Sequence, residues 1–290
     1  MNRNLILNIS GLEIRDPMMI AAKIVKDSKS NQPDFAEITV FNLSEGTRSE
    51  LSLPDQKVQV FGGHGDVEDL IFSGDIQSVV SSKDGTEWIT TLTAGDGATA
   101  MRQAIVNKSY SQPVKFIDLF NDLVKSSGLA ETVENIGTED FNIGKRGSAY
   151  AGEASKYLTD IAEAHGYEWN IQDGVAVVSK LKTSRSKLYD VMVETGMIGS
   201  PEWMNTGKDN SQNSEQDGLK IKVKSLCIPS IKPIDQVKIT SKTMEARIGG
   251  NLYKTVKQSL NDTFIVSRVV HNLSSRQGDF STEIEAVTKP

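Results

Sequence analysis

"RVVHNLSSRQGDFSTEIEAV", residues 268–287, sets His271 ahead of Asp279, Glu283 and Glu285. That composition fits a metal or acid/base site, or else a β-hairpin with one wet face. The alternation decides between them, because successive side chains on a strand point to opposite sides. Before the turn, Ile265, Val269, His271 and Leu273 are expected on one face, and Val266, Arg268, Val270 and Asn272 on the other. After it, Phe280, Thr282, Ile284 and Ala286 face one way, and Ser281, Glu283 and Glu285 the other. A four-residue connection over 275–278, with Gly278 suited to a left-handed conformation, joins the two runs. Glu283 and Glu285 are then set to pair with Arg268 across the ladder. His271 has no second ligand at usable spacing and is expected to pack or to bond backbone.

The same period of two recurs through the first hundred residues, in "LILNI", "AEITVFNL", "KVQVFGG", "DLIFSGDIQSVVSS" and "EWITTLTAG". One interruption, "NLSEGTRSEL", places Ser44 as an N-cap with Leu43, Thr47 and Leu51 at helical spacing. From Pro113 the pattern changes. Val114, Ile117, Leu119, Phe120, Leu123 and Val124 line one helical face that stops at Gly128. A second helix gathers Ala154, Tyr157, Leu158, Ile161 and Ala162 and ends at Gly166, and "YEWNIQDGVAVVSK" turns as a hairpin at Asp173-Gly174. Strands resume at "LKIKVKSL", "QVKITSK", "TFIVSRVVHNL" and "FSTEIEAV". The fold class expected is mainly β (α+β), with two antiparallel β-barrel domains, 1–108 and 183–290, flanking a small α/β module, 109–182. A polar loop is expected at 205–218, which holds no apolar residue.

The 290 residues are 38% apolar and 24% charged, ordinary for a globular chain long enough for two or three domains. A formal charge of −6 and a pI near 5.3 argue against a surface built to neutralise nucleic-acid phosphates. Cys227 stands alone, so it forms no disulfide within the chain and is expected as a buried spectator. No apolar run fits a signal peptide or a membrane span, which leads us to expect synthesis in a cytoplasm and no membrane insertion.

Chemistry-bearing motifs fail on required positions. "FGGHGD", residues 61–66, follows a strand but opens no helix, so it reads as a hairpin tip and not a phosphate loop. "IGKRGS" has Glu139 and Arg146 where a phosphate-binding loop needs Gly and Ser or Thr. "DNSQNSEQDGLK" has Ser214 and Lys220 where a calcium loop needs Gly and Glu. His64, His165 and His271 fall in different elements, and no Gly-x-Ser-x-Gly elbow occurs. No catalytic residue, metal ligand or cofactor is expected, and the chain reads as a non-enzyme.

In its order of segments the chain resembles the trimeric hub proteins of bacteriophage tail baseplates, a group similar to the spike base of type VI secretion and other contractile injection machines. The residues that carry the resemblance are "FAEITVFNLSEGTRSEL", "VQVFGG", "LIFSGDIQSV", "TLTAGDG", "GEASKYLTDIAEAHGYEWNIQDGVAVV", "TGMIGSPE", "KSLCIPSIKPIDQVKITS" and "FIVSRVVHNLSSRQGDFSTEIEAV", which span most of the sequence. Ile234-Asp235 stands where a Pro-Gly turn is usual, and Phe280 where Trp is common. The resemblance implies two tube-type barrels per subunit and a homotrimer forming a pseudo-sixfold ring between a sixfold tail tube and a threefold spike. It also implies, as partners, the spike protein, tail tube or distal tail proteins and the tape measure protein, with DNA passing through the channel without specific binding.

Gly196, Met197, Ile198, Gly199, Ser200, Pro201 and Trp203 combine flexible backbone with an aromatic anchor and are the expected subunit interface. Arg268, Glu283 and Glu285 are the expected channel or joint face. Rival readings are a tail-borne carbohydrate-binding module, which glycan-array binding would favour, and a cell-wall hydrolase, which a zymogram would reveal. The scattered Trp and Tyr residues show no exposed aromatic groove.

Overall fold

The computed structural model describes residues 2–28, 33–144, 146–204, 220–247, 253–256 and 259–289. The polar loop expected at 205–218 lies outside them. The first part of the chain forms β1 (Arg3–Ile9), β2 (Leu12–Ile14), β3 (Ile20–Asp27), β4 (Phe35–Phe41), α1 (Glu45–Leu51), β5 (Lys57–His64), β6 (Asp69–Asp84) and β7 (Glu87–Gly95). The middle forms α2 (Ala98–Gln103), β8 (Ile105–Tyr110), β9 (Val114–Lys115), α3 (Phe116–Ser127), β10 (Val133–Ile136), β11 (Asn142–Ile143), β12 (Ser148–Glu153), α4 (Ala154–Ala164), β13 (Tyr167–Gln172) and β14 (Val175–Lys180). The last part forms β15 (Leu188–Val191), β16 (Met197–Met204), β17 (Lys220–Leu226), β18 (Gln236–Ser241), β19 (Met244–Arg247), β20 (Tyr253–Val256), β21 (Leu260–Ser274) and β22 (Ser281–Thr288).

Local chemistry accounts for the boundaries. Ser44 Oγ accepts the Thr47 N–H at 3.1 Å, and the α1 it caps buries Leu51 beside Leu43. Asp173 and Gly174 both take positive φ, 51° and 81°, which fits the two-residue turn between Gln172 and Val175. Val114 lies in β9, because α3 starts two residues later at Phe116. "FGGH" is strand, not hairpin tip. Gly62 and Gly63 pair with Leu5 and Asn4, and a Cβ on Gly63 would sit 2.6 Å from the Val67 carbonyl oxygen, so close approach explains these glycines. The tip itself is at Gly65, with φ of 68°.

The fold is mostly β with antiparallel sheets, and the two β regions are not separate. They share a continuous ladder in the order β6-β7-β4-β3-β21-β22-β17-β16, each strand antiparallel to the next. The parallel pairs are β10 with β14, β15 with β18 and β16 with β19. Within the shared sheet the chain repeats itself. Strands β3, β4, β5, β6 and β7 are matched in order by β16, β17, β18, β21 and β22. In each unit the first two pair, the last two pair, the second pairs with the fifth, and the third pairs with the start of the fourth.

One irregularity recurs in both units, whereas the shifts at Val60/Phe61 and Ile198/Glu202 have no counterpart. The ladder shifts register between Ile76 and Ser78 in β6, just past the last β5 partner Asp75, and between Val266 and Arg268 in β21, just past the last β18 partner Ile265. The second bulge corrects the alternation expected for the closing hairpin. Ser267 is the extra residue, so Val266 opposes Ala286 and joins Phe264, Val269, Ile284 and Ala286 in the core, while Ile265 is shifted off the Val269 face. The connection to β22 runs over residues 275–280, longer than the four residues expected; Gly278 does adopt positive φ, 96°.

Three main cores result. One holds β1–β7 and α1 but also takes in Cys227, Leu273 and Phe280; one lies under α3 and α4; one is enclosed by β15–β22. Where they meet, charge is buried. Lys26 of β3 donates to Asp173 at 3.0 and 3.2 Å, and Lys232 reaches the same carboxylate at 2.6 Å. Burial works to raise the Asp173 carboxyl, but the two ammonium groups overcome it and hold the carboxyl below its ordinary range. Asp96 accepts the Gly174 N–H at 3.1 Å; burial, aided by the Asp173 charge, pushes it up to about 7. Asp34 accepts the Asp27 N–H at 3.1 Å and is raised well above its ordinary value by burial. His271, fully buried beside this group, bonds Thr282 Oγ1 through Nδ1 at 3.0 Å and is lowered to about 3 by burial.

A carboxyl raised in the folded state holds its proton more tightly there than in the unfolded chain. Its contribution is therefore complete below the unfolded value of 3.8 and is lost as pH rises through about 7. Asp34 acts in the same sense and Asp173 in the opposite one. Asp96→Asn keeps an acceptor for Gly174 and removes the charge. Relative to wild type it is expected to gain stability between about pH 5 and pH 8, on the order of a few kcal/mol. Urea midpoints at the two pH values check this; an equal offset at both would contradict it.

Candidate functional site

Directly opposed residues on neighbouring strands share a face, so the registers define one polar face across the shared sheet. Ser78 opposes Thr93, Thr93 opposes Glu37, Glu37 opposes Lys23, and Lys23 opposes Asn272. In a second row Asp27 opposes Arg268, Arg268 opposes Glu285, Glu285 opposes Lys222, and Lys222 opposes Glu202. Arg268 Nη1 lies 3.5 Å from Glu285, and its Nε lies 3.9 Å from Asp27. Glu283 pairs not with Arg268 but with Lys222, at 2.7 Å, and accepts from Asn272 at 3.4 Å. Lys224 reaches Asp279 at 2.8 Å.

The face carries Lys23, Lys220, Lys222, Lys224 and Arg268 against Asp27, Glu37, Glu202, Glu283 and Glu285. By the same registers Asp75, Asp84 and Glu87 also lie on it at the β6–β7 end, so on these strands acidic residues outnumber basic ones. The remaining members were findable in the sequence by extending the closing hairpin's alternation to "AAKIVKD", "AEITVF" and "KIKVKSL".

One end of this sheet is open. β5 covers β6 only as far as Asp75, while β7 follows β6 on its other side to Asp84. From residue 78 to 84 the second edge of β6 meets no strand among the described residues. Val80, in the middle of that stretch, is 61% exposed.

At the opposite end lies β16. Gly196 has φ of 104°, and a Cβ there would meet Leu226 Cδ1 at 2.8 Å. Met197 and Pro201 are buried, Ile198 and Gly199 are exposed, and Ser200 Oγ sits 2.9 Å from Thr243 Oγ1. Trp203 is half-buried, edge-on to Phe264 with ring centroids 6.0 Å apart. β19 meets β16 at Glu202 and Trp203 alone.

The other sequence candidates disperse. His64 packs edge-on to Phe280 at 5.0 Å, and His165 packs on Phe141 at 4.8 Å, far along the chain from His271. Burial pushes the Cys227 thiol up to about 12. Among the described residues no group of three or more His, Cys, Asp or Glu is placed to hold a metal ion. Ile234 adopts φ of 75° where a glycine turn would be easier, its side chain buried against Ile136 and Val177.

A repeated β unit with a small α/β module set between its copies is a fold seen in solved phage tail and type VI secretion proteins. A tail protein from Neisseria meningitidis MC58 matches with a TM-score of 0.66 at 13% identity, over 99% of this chain and 96% of that one. The 43 kDa tail protein of prophage MuSo2 from Shewanella oneidensis matches with 0.66 at 10% identity, over 100% and 98%. A type VI secretion component from E. coli, itself described as similar to T4 bacteriophage tail proteins gp27 and gp5, matches with 0.63 at 12% identity, over 98% and 77%. No curated protein matches the chain by sequence. Residues 4–286 match the model of the baseplate hub gp41 family, and the chain belongs to that family. It is thus a structural component of a phage tail baseplate.

Arg268 is 41% exposed and its ion pairs are long. Arg268→Ala is therefore expected to lower stability by less than about 1 kcal/mol, and by less still in high salt. Chemical denaturation checks this; a loss above about 3 kcal/mol would mean that the pair is held in a desolvated setting.

Proposed function

We propose that the protein acts as a homotrimer whose β units, two per subunit, form a pseudo-sixfold ring joining the sixfold tail tube to the threefold central spike. The observation that carries this reading is the repeat of β3–β7 in β16–β18, β21 and β22, held in one sheet by the pairing of β3 with β21. A chain with two equivalent units needs three copies to present six, which resolves the symmetry mismatch between tube and spike. In this reading residues 1–108 and 183–290 are tube-type barrel domains, and 109–182 is the module between them.

The polar face, with Arg268, Glu283 and Glu285 on it, lines the DNA channel or a subunit joint. Its alternating, paired charges leave no cationic stripe to hold phosphates, which supports passage of DNA without specific binding. The segment from Gly196 to Trp203 contributes to the subunit interface. Spike protein, tail tube or distal tail proteins and the tape measure protein are the partners, and the virion tail is the location. The role is structural, without catalysis.

Light scattering on the purified chain, alone and mixed with its spike protein, tests the proposal. A species near three times 31.7 kDa is expected; a strict monomer under both conditions would overturn it.

A further inference from the structure

Lys26 and Asp173 are set for more than charge pairing. The Lys26 side chain is 1% exposed and that of Asp173 7%, and Lys26 Nζ lies 3.0 and 3.2 Å from the two carboxylate oxygens. Contact with both oxygens puts the nitrogen within about 3.5 Å of the carboxyl carbon between them, the separation of reacting atoms in a near-attack geometry. Both groups are held in place. β3 is paired on either side, with β4 and β21, and Asp173 sits in its two-residue turn with φ of 51°. Lys232 Nζ stands 2.6 Å from Asp173 Oδ2, where negative charge grows as a nucleophile adds to the carboxyl carbon. Asp34 and Asp96 are near enough to feel both charges, and burial makes each hold its proton more tightly than an ordinary carboxyl. Asp34 Oδ2 is buried and has no hydrogen-bond partner. We propose that Lys26 and Asp173 condense, with no external reagent, into an isopeptide bond that ties β3 of the N-terminal unit to the turn of the α/β module.

The step balances within the cluster. The Lys26 ammonium gives one proton along its hydrogen bond to the Asp173 carboxylate, and the freed amine adds to the carboxyl carbon. A C–N bond forms and a C–O bond breaks. The second proton reaches the leaving oxygen through Asp34, which lends its own and takes one back from the Lys26 nitrogen. Ammonium and carboxylate become amide and water, nothing is oxidised or reduced, and the buried ion pair is the state that precedes the bond. A cavity of about 480 Å³, lined by Asp96 and Asp173, gives the released water an exit. Condensation of a free amine with a free acid is uphill in water, but groups fixed against each other reach effective molarities of about 10⁵–10⁸ M. With Cys227 as its single cysteine the chain forms no disulfide within itself, and the amide supplies a covalent tie between two of its units.

Mass spectrometry of the denatured full chain, taken on purification and again after prolonged incubation at neutral pH, tests the bond independently of the ring reading. The expected mass is that of the sequence less one water. Proteolysis is expected to yield a branched peptide joining the segment of Lys26 to that of Asp173, with no tryptic cleavage after Lys26. Lys26→Arg keeps the positive charge but forms no amide, and is expected to restore the full sequence mass. Asp173-Gly174 can also lose water by closing a cyclic imide on the Gly174 nitrogen, and peptide sequencing separates the two products. The full sequence mass in wild type at both times overturns the proposal. So does a lost water that persists in Lys26→Arg, or one that maps to Gly174 or Lys232. If Lys26→Arg fails to fold, the wild-type mass and peptide map decide alone.

Discussion

One strand pairing holds the molecule together: β21, past its bulge at Ser267, leaves β18 and takes β3. A β-bulge adds a residue to one strand only, which bends it and raises its local twist. Here that bend is what lets a single strand belong to two β units at once. The first half of β21 lies over the C-terminal core through Phe264 and Val266, and its end delivers Leu273 to the N-terminal core, where Phe280 follows. Without the bulge, every side chain beyond Ser267 would point to the wrong face.

The same junction explains the buried charges. Lys26 is on the inward face of β3, and the turn at Asp173-Gly174 brings its carboxylate from the α/β module onto it. Lys232 adds a second cation from the C-terminal unit. All three units thus meet on one ionic group. Removing Asp173 would leave the Lys26 ammonium buried without its counter-charge, whereas removing either lysine leaves a neutral pair. The outer face of the same strands is also charged, but its ion pairs are only half-buried and stay partly open to water.

Much of this was legible in the sequence. Alternation found the principal strands of both β units, helical spacing found α1, α3 and α4, and Asp173-Gly174 announced its turn. The failures have physical causes. A bulge adds a residue without a composition signal, so Ile265 and Val266 were assigned to the wrong faces. Gly62 and Gly63 look like a loop, but they are glycine because Asn4 and Val67 come too close for a Cβ. β15, β19 and β20 are short and pair at edges, where context and not pattern makes a strand. Of the candidate site, Arg268, Glu283 and Glu285 do share a face, yet Glu283 took its partner from β17, a strand whose register no local pattern encodes. The repeat itself left no tandem sequence signal, because it is written in pairing order and bulge position.

The central claim is that the two β units are equivalent members of one ring. A reconstruction of the hub assembled with its spike protein, computed with threefold symmetry only, tests this directly. The account predicts six β units at one radius and one height, spaced about 60° apart as sixfold pseudo-symmetry requires. Two sets of three units at different radii or heights would contradict it.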